Sequence, residues 1–577
     1  MTDAEHTIRH SAAHLLAAAV LEVLPTARLG TGPATEQGFY YDFELETPIT
    51  DAELKQIEKK MKHLIKQNQA FERSEQSIED AKIWADELGQ PFKKETIEKL
   101  AEEGETVVSF YQNGHFSDLC AGPHITSTKE IGAIKLTHFS ASYWQGDENR
   151  ESMQRIYGVA FATAAELESY EKMIVEAKKR DHRKLGKELD LFTFSEKIGS
   201  GLPLFTPRGT FLREQIANTI QSIQAKYGFE KVSIPHITKK DLYETSGHWD
   251  KFKDDLFHVH GKGDTEFVMK PMNCPHHTQI FASQPRSYRD LPIRYAEVTT
   301  CYRDEQPGEL LGLSRVRALT QDDGHTFCRI DQVKEESRNI VNVIREFYTK
   351  LGMFGEGDFW VSLSVRDPAT PEKYLGDTDD WDQAEQFLEE IAAEENLDAK
   401  RIEGEAAFYG PKLDFQFRDA LGREWQLATV QIDFVQPERF ELEFTNNEGN
   451  KERPVMIHRA IAGSLERFLS VIIEHFAGVF PPWLAPEQAR IVPVAGDFND
   501  GCTAIQKTFR EAGLRVELDS SNDALGKKVR KAEKMKIPFI LVVGENELKD
   551  GTVTVRMHGV EEQETMKIDE FIQNMTK

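Results

Sequence analysis

At 577 residues the chain is too long for one hydrophobic core, and roughly 100–200 residues per domain implies about three to five units. With 39% hydrophobic and 10% aromatic residues and a net charge of −26, it reads as globular; the charge excludes nucleic-acid binding by the whole surface but leaves room for a local basic track. No segment approaches the ~18 apolar residues of a membrane helix, the N-terminus lacks a basic leader before an apolar core, and five scattered cysteines make no disulfide scaffold, so a reducing, cytoplasmic setting is expected.

Residues 1–165 read as a small α+β unit. A helix is expected over 11–24, started by Ser11 beside His10 and stopped by Pro25. Strand-like runs follow at 39–43 and 106–111, with a charged periodic helix over 51–70 between them. A second charged helix, over 166–189, suits a linker and carries Lys178, Lys179, Arg180, Arg183, Lys184 and Lys187. Residues 190–484 form the largest unit. Its strand-like runs are 259–269, 359–365, 412–417, 424–434 and 439–444, and its helices 211–227, 333–351 and 381–394. This interleaving predicts an antiparallel sheet flanked by helices. No glycine-rich phosphate loop follows a strand, so any ATP is held by other means. After Pro481, Pro482 and Pro486 the texture changes to an α/β module over 485–577, with strands at 490–494, 514–518, 538–543 and 552–557. Its basic track is Lys527, Lys528, Arg530, Lys531, Lys534 and Lys536, opposed only by Glu533.

Two groups of residues carry chemistry. His10 and His14 are four apart on one helix face, and Cys120 and His124 flank a turn at Gly122-Pro123. The four could form a tetrahedral zinc site or, without metal, the acid, base and donor groups of a hydrolytic pocket; the sequence leaves both open. In the large unit Cys274, His325 and His458 offer a thiolate and two imidazoles, a zinc set with one open position. Around them lie Arg303, Arg315, Arg317 and Arg467, whose planar forks suit triphosphate and carboxylate. Arg467 sits in an apolar helix, which fits poorly with a surface ion pair.

The ordered motifs HSAAHLL, SDLCAGPH, SGHWD, MKPMNCP, CYRDE, RVRALTQDDGHTF, AFYGPKLDF, TVQIDF and VMIHRAIAGSLERF resemble threonyl-tRNA synthetases, which are class II aminoacyl-tRNA synthetases. The resemblance covers essentially the whole chain from His10. It implies a multidomain α+β and α/β fold. The parts are an editing domain over 1–165, a linker helix over 166–189, a class II antiparallel-sheet catalytic domain over 190–484 and an anticodon-binding domain over 485–577. It also implies a form without the family's small N-terminal ubiquitin-like domain. The implied activity is ATP-dependent formation of threonyl adenylate and transfer of threonine to tRNA(Thr), with hydrolytic editing of mischarged seryl-tRNA(Thr), in a cytoplasmic homodimer whose interface motif includes Pro235.

By the same resemblance, Cys274, His325 and His458 hold Zn2+, and Mg2+ accompanies ATP. Arg303 would meet the α-phosphate, Glu305 the adenine, Arg315 the γ-phosphate end, and Arg467 the triphosphate. Asp323 would bond the threonine hydroxyl. Met272, Tyr409, Lys412, Gln426, Gln431 and Ser464 would line the amino-acid and ATP pockets. Editing would fall to His10, His14, Tyr41, Asp118, Cys120 and His124, and anticodon reading to Asn522, Glu547 and Arg556. Two residues depart from the pattern: Leu319 stands where an aromatic residue usually covers the adenine, and His276 replaces a glycine beside Cys274. The competing readings are a sister class II synthetase of the prolyl or seryl type and a non-catalytic RNA-binding protein on the same fold.

Overall fold

In the computed structural model, which describes residues 2–576, the chain falls into two bodies that divide between Val175 and Glu176. The first is built on one helix, Asp3–Val23, whose residues from Ser11 to Val20 are all buried. Alanine and leucine on every side leave that stretch no solvent face, so the helix packs as a core segment there while its first turns stay at least partly exposed. It begins earlier than expected. Thr2 caps it: its side chain accepts from the Glu5 N–H, and Glu5 returns a carboxylate to the Thr2 N–H at 2.8 Å. Ser11, the expected cap, instead donates to the Thr7 carbonyl inside the helix. The helix packs with a sheet in which Gly38–Glu44 lies between Arg28–Leu29 and Ser152–Phe161, with Ala133–Tyr143 beyond. A smaller sheet of Phe71–Ser77, Val107–Asn113 and Phe116–Leu119 shares a second apolar cluster with helices Ile78–Glu87 and Pro91–Glu102.

The second body contains an eight-stranded sheet. Its six central strands are antiparallel as expected, in the order Ile293–Tyr302, Ala318–Cys328, Val455–Ser464, Glu424–Asp433, Lys412–Arg418 and Phe359–Val365. The short edge strands Glu230–Lys231 and Ala399–Glu403 are parallel to their neighbours. Helices Pro207–Ala225, Val333–Leu351 and Leu465–His475 bury their apolar faces in the same core.

Three expectations need correction. The run 259–269 is a hairpin of His258–His260 and Glu266–Met269. The run 439–444 is not a strand: Val435–Arg439 is helical, Glu441 takes a positive φ of 50°, and pairing is confined to Phe444–Thr445. The linker is two helices, Ala164–Arg180 and His182–Glu188. Asp181 breaks them and caps the second by accepting the Arg183 N–H. In the C-terminal module the strand Gln563–Lys567 pairs with Thr552–Met557. Its sequence, QETMK, is an exposed polar edge without apolar alternation, so periodicity gave no sign of it.

The register of two central strands positions the site. His325 lies opposite His458 and Gly324 opposite Arg459, with an irregularity between Asp322 and Gly324. On the other face Arg459 donates to Asp322 at 2.6 Å, and both are buried. The second Asp322 oxygen accepts the N–H groups of Ile461 and Ala462 at 2.9 and 3.2 Å. Gly324 is required here: a Cβ would lie 2.5 Å from the Arg459 Nε and 2.8 Å from the Tyr295 carbonyl. A one-residue slip would turn every side chain to the opposite face and strand a buried charge. Arg459→Ala should therefore destabilise this sheet by about 3–5 kcal/mol. Hydrogen exchange of strands 318–328 and 455–464 in urea measures it, and unchanged protection there would refute the role.

Candidate active site

Lys412, Gln431, His458 and His325 face one another across four adjacent antiparallel strands, so they share one face of the sheet. Cys274 approaches from the first turn of helix Cys274–Ala282. The ligand atoms of Cys274, His325 and His458 lie within 4.8 Å of one another, and all three residues are buried. The facing nitrogens, His325 Nε2 and His458 Nδ1, are 3.0 Å apart. A tetrahedral zinc ion with nitrogen ligands at about 2.0–2.1 Å holds them about 3.3 Å apart. Separation and donor chemistry thus fit a tetrahedral cation with one position open to substrate.

The outer nitrogens are also engaged. His458 Nε2 meets the Asp433 carboxylate at 2.7 Å, which keeps the proton on Nε2 and a lone pair on Nδ1. His325 Nδ1 lies 2.7 Å from His277 Nδ1, and His277 Nε2 is 3.8 Å from Glu297. Burial pushes the Cys274 thiol well above its usual range, aided by Asp323 and Asp433, and holds His325 well below its own. A cation between them offsets the burial of a thiolate and favours neutral imidazole. Asp433 falls within the motif TVQIDF but was given no role there; His277 and Glu297 carried no signal, because each lies far along the chain from the histidine it faces.

Asp323 is aimed by the Asn273 amide at 2.9 Å and by the Gly324 N–H at 2.8 Å. Lys412 and Gln426 are both held on a buried carboxylate, Asp414, at 2.6 and 2.7 Å; Thr429 and Ser364 complete its shell at 2.8 and 3.0 Å. Asp414 was not singled out in the sequence, since an acid inside a strand looks like any other alternation. Gln431 donates to the Gly410 carbonyl at 3.1 Å, and the Tyr409 ring lies 5.1 Å from that of His458. The Met272 carbonyl accepts the Tyr243 hydroxyl at 3.1 Å.

Arg303 follows the strand Ile293–Tyr302 directly. Arg315 is held by Glu305 and Glu309 at 2.8 and 2.9 Å, in the loop before Ala318–Cys328 rather than in a strand. Ser464 caps helix Leu465–His475 through the Arg467 N–H, and the Arg467 Nε donates to the Ser314 carbonyl at 3.2 Å. Burial, then Arg303 and Arg315, pull the Arg467 pKa down. Three guanidinium groups close enough to repel make a place where a polyanion is favoured. Leu319 is buried with Cys301 and Val316 in a small apolar cluster. His276 is buried and, among the described residues, neither of its ring nitrogens has a hydrogen-bond partner; burial brings it to about 4, so it is neutral. It lies outside the three-ligand cluster.

In the first body His10, His14, Tyr41, Lys93, Asp118 and Cys120 line a pocket of about 260 Å³. Cys120 Sγ lies 3.3 Å from His10 Nε2 and 3.2 Å from His124 Nε2. His10 Nδ1 faces the Pro123 carbonyl at 3.1 Å, so it carries the proton. His124 Nδ1 meets the Ser11 hydroxyl at 2.9 Å, whose own hydrogen goes to Thr7. Both Nε2 atoms therefore present lone pairs. Burial lowers His10, brings His14 to about 3 and His124 to about 2, and raises Cys120. His14 Nε2 has no partner among the described residues. Asp118 accepts the Tyr41 hydroxyl at 2.6 Å and pairs with the buried Lys93 at 2.8 Å. In the sequence Lys93 beside Lys94 looks like a solvated helix face; only Lys94 is one, paired with Asp86.

The C-terminal residues stand apart. Asn522 is exposed just before helix Leu525–Lys534, Glu547 accepts the Gly544 N–H at 2.8 Å, and Arg556 donates to Glu533 at 3.2 Å. Among the described residues no hydrogen bond joins the three. The basic track is less free than its sequence implied: Lys528 is buried against the Pro493 carbonyl, and Asp523 as well as Glu533 opposes it, holding Lys527 and Lys531 at 2.7 and 2.6 Å. In the linker, Glu176 pairs with Lys179 and Arg180, and Asp181 with Arg183.

Known proteins resemble this chain in sequence and in fold. The tRNA synthetase class II core domain family (G, H, P, S and T) matches residues 257–476, the anticodon binding domain family residues 488–577, and the threonyl and alanyl tRNA synthetase second additional domain family residues 108–157. The chain is 48% identical over 576 residues to the threonine–tRNA ligase of Gloeobacter violaceus, covering 98% of this chain and 91% of that one. It is 46% identical over 576 residues to that of Cytophaga hutchinsonii, covering 99% and 88%. Among solved structures, the RNA binding domain of threonyl-tRNA synthetase from Cryptosporidium parvum superimposes with a TM-score of 0.65 at 36% identity, covering 69% of this chain and 98% of that one.

Asp433 gives the direct test of the metal set. Asp433→Asn should weaken Zn2+ binding by about 10–100-fold, measured by competition with a chelating dye. Equal affinity in the variant would remove Asp433 from the site.

Proposed function

The chain belongs to the threonine–tRNA ligase family and has that family's activity, ATP-dependent joining of threonine to tRNA; on that premise we propose that the Cys274/His325/His458 cluster and the arginines beside it are the synthetic centre. The observation that carries this reading is the convergence of a buried thiol and two imidazoles next to an oriented carboxylate, Asp323. The family's activity also sets aside a sister synthetase and a silent RNA-binding protein.

In the first step the threonine carboxylate attacks the ATP α-phosphate and pyrophosphate leaves; in the second a terminal ribose hydroxyl attacks the adenylate carbonyl and AMP leaves. Negative charge accumulates on phosphoryl oxygens, where Arg303 and Arg467 stabilise it, with Mg2+ accompanying ATP. Arg315 takes the γ-phosphate end and Glu305 the adenine, which requires that the nucleotide bend or that their 2.8 Å pair open, and Leu319 offers the base apolar contact. Met272, Tyr409, Lys412, Gln426, Gln431 and Ser464 complete the walls. Cys274, His325 and His458 would hold a Zn2+ ion, which would supply a Lewis-acid position for the amino and hydroxyl groups of threonine. Asp323 accepts a hydrogen bond from the threonine hydroxyl.

This division of labour explains a second pocket. Valine lacks the hydroxyl and strands the groups that bind it, a penalty of about 10⁴–10⁵-fold; serine lacks only a methyl, worth about 10–200-fold. Hydrolysis of seryl-tRNA in the pocket of the first body makes up the difference. His14 and His124, brought by burial to about 3 and 2, are too weakly basic to take a proton from water; His10, which lines the pocket and turns an Nε2 lone pair toward Cys120, is the group suited to orienting a water there. The reading extends to the parts 1–165, 166–189, 190–484 and 485–577 as editing, linker, catalytic and anticodon-binding regions. Asn522, Glu547 and Arg556 contact the anticodon, and the working form is a homodimer through the segment around Pro235. No helix among the described residues is long and apolar enough to cross a membrane.

Aminoacylation with threonine, serine and valine, with zinc measured on the same sample, tests the synthetic centre; active protein without zinc would defeat it. For the second pocket, Cys120→Ala combined with His10→Ala should leave threonine charging intact while seryl-tRNA accumulates. Normal clearance of seryl-tRNA by that variant would show that hydrolysis occurs elsewhere.

A further inference from the structure

A third group of metal-type ligands, Asp181, His182 and Glu474, lies outside both pockets. Its hydrogen bonds rule out a cation. His182 Nδ1 lies 2.6 Å from Glu474 Oε1, which also accepts the His182 N–H at 2.9 Å. The other Glu474 oxygen is held by Arg423, whose guanidinium already supplies the positive charge. Asp181 is occupied by Arg183. Because Glu474 accepts at Nδ1, the lone pair of His182 is on Nε2, and there it accepts the Leu313 N–H at 3.1 Å. Each ligand atom thus has an N–H partner, and the group is a hydrogen-bonded joint.

What the joint connects gives it a role. Leu313 is fully buried and sits two residues before Arg315. Gly312, at a φ of 51°, passes so close that a Cβ would lie 2.2 Å from His182 Nε2. The next residue, Ser314, is tied to helix Leu465–His475 twice: its hydroxyl meets that of Ser470 at 3.0 Å, and its carbonyl accepts from Arg467. Glu474 belongs to the same helix. One imidazole therefore fixes the loop carrying Arg315 against the helix carrying Arg467.

We propose that His182 is a positioning residue for ATP: it seats the 310–315 loop so that Arg315 and Arg467 present a fixed spacing to the triphosphate. This rests on the assignment of those arginines to ATP given above. The two bonds of His182 can be separated by substitution. In His182→Asn the amide NH2 can replace Nδ1 toward Glu474, but nothing accepts from Leu313. In His182→Gln the longer side chain can place its oxygen where Nε2 was. Threonine-dependent ATP–pyrophosphate exchange on the full-length, zinc-loaded protein reads the outcome. His182→Asn should raise KM for ATP about five- to tenfold, the usual size of one lost hydrogen bond, and leave KM for threonine within about twofold. His182→Gln should recover most of the loss. Hydrogen exchange should rise in residues 310–317 of His182→Asn and remain unchanged in strand 318–328. Gly312→Ala, which displaces the loop from the other side, should raise KM for ATP in the same way and serves if His182→Asn does not fold. An unchanged KM for ATP, equal rises in both KM values, or identical behaviour of the Asn and Gln variants would overturn the proposal. Arg315→Ala separates the two levels: a raised KM for ATP there with none in His182→Asn defeats only the His182 role, while no change in Arg315→Ala defeats the ATP assignment itself.

Discussion

The buried pair Arg459–Asp322 is the constraint on which the centre of this molecule depends. It lies beneath the sheet while His325 and His458 lie above it, on the same two strands. Arg459 is next to one ligand in the chain, and Asp322 is three residues from the other. The alternation of a β-strand turns these neighbours to opposite faces, so satisfying a charge below aligns two imidazoles above. Burying such a pair yields little net stability, but leaving one partner alone is strongly unfavourable, and that asymmetry selects a single register.

The two thiol–imidazole clusters are built from related parts with different outer partners. In the second body a thiol and two imidazoles converge at the spacing of a cation, and a carboxylate or a third imidazole occupies each outer ring nitrogen. In the first body the outer nitrogens are occupied by a carbonyl and a hydroxyl, and the inner ones face one thiol. A carboxylate partner raises the donor strength of an imidazole toward a metal more than a neutral oxygen does. The Cys274 set has one such carboxylate partner, Asp433, whereas the His10, Cys120 and His124 donor atoms, which also lie within 4.8 Å of one another, have only neutral outer partners.

Much of this was legible in the sequence where the physics is local. Apolar periodicity placed the long helices, and the interleaving of strands implied the antiparallel sheet. Cys274, His325 and His458 stood out as a zinc-type donor set, Arg303 as a planar cation suited to phosphate, and Arg467 because it sits in an apolar helix; their individual roles came from the family resemblance. Supporting residues were not legible. Asp414, Asp433, His277 and Lys93 acquire meaning only from partners that folding brings near. Local chemistry also misled in places: the polar first turns of Asp3–Val23 hid its start, Asp181 broke a helix that charge patterning ran together, and the backbone reversal at Glu441 ended a run that had looked like a strand.

Deep burial of the imidazoles in the first body has a physiological corollary. Burial brings His14 to about 3 and His124 to about 2, reinforced by Lys93 and His10 at the first and by His14 and His10 at the second. An ordinary histidine changes charge between about pH 5 and 8. Across that interval these two keep one charge state, so neither responds to swings in acidity that would switch an exposed histidine on or off.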